Sequence, residues 1–209
     1  VEQNQSWTLM CPDQCPGLTS CHGQEFNNLY QKYEQEGKGI ETIPAQELWT
    51  LIITSQIETG TPYMLYKDSC NQKSNQQNLG TIKSSNLCCE IMEYSDKEQT
   101  AVCNLASINL PHMLDKSGNL DEAKIEKTIQ TGIRMLDNVI DNNFYPTKEA
   151  EVANFKHRAI GLGMMGYQDA LFKKNICFDS TENLEFSDES MEMISYYSIK
   201  ASSALAKEK

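Results

Sequence analysis

The stretch SSNLCCEIM, residues 84 to 92, places an asparagine, a cysteine and a glutamate at alternate positions. In an extended strand successive side chains point to opposite sides, so Asn86, Cys88 and Glu90 would share one face. Cys89 would then point away, together with Leu87. In a helix, Cys88 would lie nearly opposite the other two polar residues. If the three residues act together, the segment must be extended, and Cys88 is the working cysteine.

The neighbours of Cys88 favour radical chemistry over nucleophilic attack. A thiol has a reference pKa of about 8.5, and nucleophilic cysteines recruit a cation or a histidine. No histidine lies within twenty residues of Cys88, and a nearby carboxylate raises a thiol's pKa. A neutral thiol is a good hydrogen-atom donor, and its radical is a good acceptor. Glu90 could act as a general base. On spacing alone, the interpretation of these three as ordinary residues of a polar strand is favoured.

Helical and extended patterns alternate along the chain. Helices are predicted where apolar residues recur at helical spacing: over 24 to 36, around 48 to 57, over 121 to 143, from about 164 to 174, and over 188 to 207. Ser187 is the predicted N-cap of the last helix. Strands are predicted over 62 to 68, 100 to 110 and 159 to 163, a loop over 1 to 23, and an ordered loop or the approach to a hairpin over 69 to 85. This alternation indicates an α/β fold.

Composition excludes several classes of protein. The 209 residues carry a formal net charge of -11, and the acidic residues are spread along the chain, which argues against nucleic-acid binding. No apolar run approaches the ~18 residues of a membrane span, and no secretion signal precedes the chain's eight cysteines. We therefore expect a cytoplasmic protein that binds neither nucleic acid nor membrane and keeps its thiols reduced.

Two further motifs are weak. Gly161, Gly163 and Gly166 spell G-x-G-x-x-G, but the preceding NFKHR is too polar for the first strand of a dinucleotide-binding fold. A zinc site built from the cysteines and the histidine of CPDQCPGLTSCH would need the irregular spacing C-x3-C-x5-C-H. Adjacent cysteine and histidine rarely both bind one tetrahedral ion. We expect no metal and no cofactor to be held here.

Five segments together resemble one enzyme family. In order, they are LMCPDQCPGL, SQIETGTPYMLYKDSCNQKSNQQNLGTIKSSNLCCEI, AVCNLASINLP, NVIDNNFYP and HRAIGLGMMGYQDALF. They are similar to the large catalytic subunit of class I ribonucleotide reductase, from about residue 6 to the last residue. The resemblance implies that residues 1 to 209 are part of its α/β barrel. That barrel has ten strands in two parallel five-stranded halves, and a finger loop inside it carries the radical cysteine.

The resemblance also implies roles for four residues in the reduction of ribonucleoside diphosphates to deoxyribonucleotides for DNA synthesis. Cys88 would form the thiyl radical that removes the ribose 3'-hydrogen. Glu90 would take the 3'-hydroxyl proton, and Asn86 would hydrogen-bond the ribose hydroxyl groups. Cys103 matches one of the two cysteines that deliver reducing equivalents and end as a disulfide. The family usually has threonine or an apolar residue where Cys89 stands, so Cys89 is treated as a bystander.

Members of this family are much longer, so the resemblance implies partners outside these residues. The ATP-cone, the nucleotide specificity site and the second redox cysteine are expected upstream. The substrate-phosphate loop, the radical-relay tyrosines and a cysteine-bearing tail are expected downstream, so Tyr196 and Tyr197 are not assigned to the relay. ATP and dNTP effectors would bind elsewhere in the subunit. The metal-radical cofactor would belong to the small subunit, and thioredoxin or glutaredoxin would supply electrons. The alternative is a split-subunit piece that is inactive until complemented.

Overall fold

Helices dominate the computed structural model, which describes residues 1–209. The α-helices are α1 Gly23–Gln35, α2 Ala45–Thr59, α3 Lys67–Lys73, α4 Glu122–Asn142, α5 Lys148–His157, α6 Tyr167–Lys174 and α7 Thr181–Glu208. The strands are β1 Ser6–Met10, β2 Gly39–Pro44, β3 Asn104–Asn109 and β4 Ile160–Met165. None of the helices combines the length and the apolar character that a membrane span requires. The chain divides into two compact units, Val1–Lys97 and Glu98–Lys209.

In the first unit, β1 and β2 pair antiparallel, with α1 between them in the chain. The Tyr30 hydroxyl of α1 accepts a hydrogen bond from the Thr8 backbone N–H of β1 at 2.7 Å and donates one to the Thr8 carbonyl oxygen. Helix α2 has no buried residue and ends at Gly60, which adopts a left-handed conformation. After α3 the chain runs without helix or strand to the end of the unit.

The second unit is a strand–helix–strand arrangement. β3 and β4 pair in parallel, from Asn104 opposite Ile160 to Asn109 opposite Met165, and α4 and α5 form the connection between them. The long helix α4 is capped by the Asp121 side chain, which accepts a hydrogen bond from the Lys124 backbone N–H at 3.0 Å. Its buried stripe packs with α6, α7 and β3 in one apolar core: Ile108, Leu110, Met113, Ile125, Ile129, Ile133, Ala170, Leu171, Phe186, Ile194, Tyr197, Ala201 and Leu205.

The predicted helices at 24 to 36, 48 to 57, 121 to 143 and 164 to 174 are confirmed, with shifted ends, as are the strands within 100 to 110 and 159 to 163. The strand predicted over 62 to 68 is wrong: the chain is irregular to Tyr66 and then enters α3. The last helix begins at Thr181, so Ser187 is not its N-cap. Ser180 caps it instead, accepting from the Asn183 N–H at 3.2 Å. Strands β1 and β2 and helix α5 were not predicted.

Candidate functional site

The Cys88 loop, residues 85–91, forms a turn. The Cys89 backbone N–H donates to the Asn86 carbonyl oxygen at 3.2 Å, and Cys89 has φ 68°. The prediction that Asn86, Cys88 and Glu90 share one face of an extended segment is therefore wrong, and strand alternation no longer identifies Cys88 as the working cysteine. The left-handed backbone at Cys89 reverses the chain, and a reversed chain cannot keep the two-residue alternation of a strand.

The turn distinguishes the two adjacent cysteines in another way. Leu87 and Cys88 occupy the two central positions of the turn, and both are exposed. Cys89 is half-buried, and its Sγ lies 4.0 Å from the Leu87 carbonyl oxygen. Cys88 is thus the thiol that the loop presents outward, whereas Cys89 folds back on the loop's own backbone.

Side chains close the base of this loop. The Ser85 Oγ donates to the Ile91 carbonyl oxygen at 2.6 Å, and the Ile91 N–H donates to the Asn86 Oδ1 at 3.0 Å. Since Asn86 Oδ1 accepts, the amide orientation of Asn86 is fixed, and its N–H groups point to the other side of the carboxamide. Asn86 is exposed, so these donors are available to a ligand next to Cys88. Glu90, also exposed, completes the polar set of the loop.

A second clamp holds the chain that leads into the loop. Asn71 on α3 is buried, and its carboxamide pairs with both backbone groups of buried Ile82. The Ile82 N–H donates to Asn71 Oδ1 at 2.7 Å, and Asn71 Nδ2 donates to the Ile82 carbonyl oxygen at 3.0 Å. The Asn71 side chain thus makes the two hydrogen bonds to Ile82 that the backbone of a neighbouring strand would otherwise make. The sequence predicted an ordered loop or the approach to a hairpin over 69 to 85, and nothing in it marked Asn71, which lies on α3, as a clamp.

A cavity of about 340 Å³ lies beside the same segment, with Asn86, Ile82, Lys67 and Lys83 among its lining residues. The Lys67 ammonium donates to the Thr19 carbonyl oxygen at 2.7 Å. Burial, with a smaller contribution from the charge of Lys83, lowers the pKa of Lys67. The surroundings of Asn86 in this unit are therefore cationic as well as polar.

Cys103 lies in the second unit, directly before β3, and is half-buried. The parallel pairing brings β4 alongside at this point. A Cβ atom on Gly161 would lie 3.3 Å from Cys103 Sγ and 2.5 Å from Leu105 Cδ2. Gly161 thus leaves the space that the Cys103 thiol occupies, as expected for a glycine where two chains approach closely.

The glycine motif has a structural explanation. Gly166 follows β4 directly, has φ 74° and precedes the first residue of α6. A Cβ on Gly166 would lie 2.8 Å from Pro111 Cδ. The last glycine of G-x-G-x-x-G therefore permits a tight strand-to-helix junction.

Ion pairs anchor the start of β4. Arg158, in a left-handed conformation at the end of α5, donates from Nε to Asp137 Oδ1 and from Nη1 to Asp141 Oδ1, each at 2.8 Å. These bonds lower the pKa of both carboxyls, that of Asp141 to about 2, and raise the pKa of Arg158. Lys209 contacts the same two carboxylates. No sequence signal marked Arg158 as an anchor.

Each of the two buried cysteines near the N-terminus contacts a different backbone carbonyl group. Cys15 and Cys21 are buried, and their thiols face the carbonyl oxygens of Lys38 and Leu18 at 3.9 and 3.8 Å. Burial, followed by the charge of Glu25, raises the pKa of Cys21. Nowhere in the chain do three His, Cys, Asp or Glu side chains converge as metal ligands would.

Comparison with known proteins gives one consistent answer. The family model "Ribonucleotide reductase, barrel domain" matches residues 1–209. The chain is 50% identical over 209 residues to the ribonucleoside-diphosphate reductase large chain of Neurospora crassa, spanning 100% of this chain and 22% of that one. It is 50% identical over 208 residues to the large subunit of Danio rerio, spanning 100% and 26%. The chain therefore spans about a quarter of the length of these relatives.

A solved structure agrees with the sequence comparisons. The class Id ribonucleotide reductase alpha subunit of Actinobacillus ureae superposes with a TM-score of 0.68 at 30% identity, over 78% of this chain and 32% of that one. The sequence family, the relatives' names and the fold thus coincide. The chain belongs to the ribonucleotide reductase barrel-domain family.

Proposed function

We propose that the chain supplies the radical-cysteine part of a ribonucleoside-diphosphate reductase large subunit, which reduces ribonucleoside diphosphates to deoxyribonucleoside diphosphates. The observation that carries the proposal is the Cys88 loop, in a chain that belongs to this family. The loop presents an exposed thiol at its tip, with amide donors on Asn86 and a carboxylate on Glu90 next to it. These are the groups that hydrogen-atom transfer from a ribose ring requires.

Each residue has a defined task in this reaction. The Cys88 thiyl radical takes the 3'-hydrogen atom and becomes a thiol, which leaves a substrate radical at C3'. At the end of turnover the Cys88 thiol returns a hydrogen atom to C3', which restores the thiyl radical. Glu90 accepts the 3'-hydroxyl proton as a general base, while the Asn86 N–H groups donate to ribose hydroxyl oxygens. Replacing one ribose hydroxyl by hydrogen releases water and consumes two electrons. Cys103 and a second cysteine elsewhere in the subunit supply these electrons and two protons as they form a disulfide.

The reaction needs partners that these residues do not contain. The radical originates at the metal-radical cofactor of the small subunit, effector ATP and dNTP bind elsewhere in the large subunit, and thioredoxin or glutaredoxin reduces the disulfide again. We propose a cytoplasmic location, where such thiols are kept reduced.

The exposed apolar surface supports a further part of this proposal. Helix α2 exposes Trp49, Leu51, Ile53 and Ile57, with 80% of the Ile57 side-chain surface accessible. A stretch of this kind is normally covered by protein. The rest of the large subunit would cover it, and residues 1–209 alone would be catalytically inactive.

The test is turnover by the full-length large subunit together with its small subunit. Ribonucleoside diphosphates, a dithiol reductant and effector nucleotide are supplied, and products are separated by chromatography. We expect deoxyribonucleoside diphosphate to accumulate and residues 1–209 alone to form none. Absence of deoxyribonucleotide from the assembled enzyme would refute the activity, and turnover by residues 1–209 alone would refute the need for the rest of the subunit.

A further inference from the structure

Ile91 stands out in the Cys88 loop because side chains take up both of its backbone hydrogen-bonding groups. Its carbonyl oxygen accepts from Ser85 Oγ at 2.6 Å, and its N–H donates to Asn86 Oδ1 at 3.0 Å. Two consecutive side chains on one arm of the loop therefore grip one residue on the other arm. These two contacts join the two ends of the loop at the base of the Cys88 turn.

A hairpin loop is normally held by a ladder of backbone hydrogen bonds between its two strands. The Cys88 loop has no such ladder, because no strand occurs between α3, which ends at Lys73, and β3, which begins at Asn104. Inside the turn, one backbone bond, from the Cys89 N–H to the Asn86 carbonyl oxygen, closes the tip. The position of the tip relative to its base therefore depends on the two side-chain contacts to Ile91.

We propose that Ser85 is a positioning residue for Cys88, acting through its hydrogen bond to the Ile91 carbonyl oxygen. This inference rests on the proposed function, because it concerns where the loop holds the radical thiol. Ser85 Oγ also lies 3.2 Å from Asn86 Oδ1, but its single hydroxyl hydrogen serves the shorter bond to the Ile91 carbonyl oxygen. Loss of the Ser85 hydroxyl would remove one of the two side-chain hydrogen bonds to Ile91 and leave the bond from the Ile91 N–H to Asn86 Oδ1.

Hydrogen-atom transfer makes this positioning matter. The reaction requires the donor and acceptor atoms in van der Waals contact and aligned, and a misplacement of about 1 Å can reduce turnover about a hundredfold. Ser85 is half-buried, and its hydroxyl is engaged by the Ile91 carbonyl oxygen. Its loss should therefore lower kcat while leaving KM for the ribonucleoside diphosphate nearly unchanged, which separates positioning from substrate binding.

The test uses the full-length large subunit with its small subunit and compares Ser85→Ala, Ser85→Thr and Ser84→Ala. Ser84 is the matched control, because it is the exposed neighbouring serine. We expect Ser85→Ala to lower kcat roughly ten- to a hundredfold with little change in KM. Ser85→Thr, which keeps the hydroxyl, should retain most of the turnover, and Ser84→Ala should match the parent enzyme.

Hydrogen exchange gives a readout apart from activity. Amide hydrogens in a peptide spanning residues 86–92 should exchange faster in Ser85→Ala than in the parent, and at the parent's rate in Ser84→Ala. Equal kcat in Ser85→Ala and Ser84→Ala, or loss of turnover in Ser85→Thr as complete as in Ser85→Ala, would overturn the proposal. A Cys88→Ser variant measured alongside separates the two claims. If it retains turnover, the proposed function fails; if it is inactive while Ser85→Ala is normal, only the positioning role fails.

Discussion

The two cysteines proposed for the redox reaction are held in different ways. Cys88 lies in an irregular loop whose arms are joined by polar side chains, Ser85 and Asn86, acting on Ile91. Cys103 lies directly before a six-residue strand that pairs in parallel with β4 over its whole length. A backbone ladder tolerates most side-chain changes, whereas a side-chain clamp is lost with one substitution. The comparison predicts that the Cys88 region is the more sensitive to single polar substitutions.

The anchors behind the two regions differ as well. Buried Asn71 holds the approach to the Cys88 loop with two neutral hydrogen bonds to Ile82. The approach to β4 is held by ion pairs from half-buried Arg158 to Asp137, which is buried, and to Asp141, which is exposed. Buried neutral bonds are costly to leave unpaired, whereas partly exposed ion pairs contribute little and are screened by salt.

The largest effect is expected from Asn71→Ala. This change leaves the buried N–H and carbonyl oxygen of Ile82 without partners, at a cost of roughly 2–6 kcal/mol for the two groups. We expect rapid proteolytic cleavage between α3 and β3 and loss of most turnover in the full-length enzyme. The matched control is Asn78→Ala, at an exposed asparagine in the same segment. Equal protease resistance of the two variants would show that the Asn71 clamp does not order this segment.

A smaller effect is expected from Gly161→Ala. The added methyl group would lie 3.3 Å from Cys103 Sγ and 2.5 Å from Leu105 Cδ2, so both side chains must shift. Leu105 is 55% exposed and can rotate away, which limits the damage. We expect turnover to fall about three- to tenfold through displacement of the Cys103 thiol.

Gly163→Ala on the same strand is the control for Gly161→Ala. A Cβ at Gly163 would lie 3.9 Å from Ser107 Oγ, an ordinary contact. Steady-state turnover with a dithiol reductant should be near that of the parent enzyme for this variant. If both alanine variants are equally impaired, the effect comes from general strand disruption and not from the space beside Cys103.

The smallest effect concerns acid stability at the β4 anchor. Bonds from Arg158 and Lys209 lower the pKa of Asp141 from 3.8 to about 2. Because the folded-state value is the lower one, this contribution to stability is present above pH 3.8 and is lost as the pH falls towards 2. Asp141→Asn should therefore show a shallower fall in unfolding temperature in this range, by about one or two degrees.

Asp188→Asn is the control for the acid-stability prediction, because Asp188 is exposed on α7 and forms no ion pair. Its unfolding temperature should follow the parent's across the same pH range. A slope for Asp141→Asn identical to that of the parent enzyme would show that the Arg158 ion pair does not stabilise the folded chain.

The regular elements with strong periodicity could be predicted from the sequence. Helix α4 carries isoleucines at positions 125, 129, 133 and 140, all buried, and β3 and β4 are rich in apolar residues. The helical stripe of α7 from Ile194 to Leu205 was likewise predicted correctly. Its first two turns were missed because exposed acidic residues and exposed Leu184 hide the helical pattern there.

The conformation of the site could not be predicted, because its support is not periodic. The extended interpretation of residues 86 to 90 failed because one residue in a left-handed conformation, Cys89, reverses the chain. Glycine or asparagine would have signalled a turn at that position, but the sequence has a cysteine there. The contacts of Ser85 and Asn71 join residues six and eleven positions apart through single side chains. Such contacts leave no repeating signal in the sequence. Asn86, Cys88 and Glu90 were singled out by their alternate spacing and given roles by the family resemblance, and Cys103 was nominated by the resemblance alone.

The most direct test of the account is the turnover of Cys88→Ser beside that of Cys89→Ser, each in the full-length large subunit with its small subunit. The two residues are adjacent and chemically identical, but one is presented at the tip of the turn and the other folds back on Leu87. We expect no deoxyribonucleotide from Cys88→Ser and most of the parent's turnover from Cys89→Ser. Equal loss in both variants, or activity retained in Cys88→Ser, would contradict this expectation.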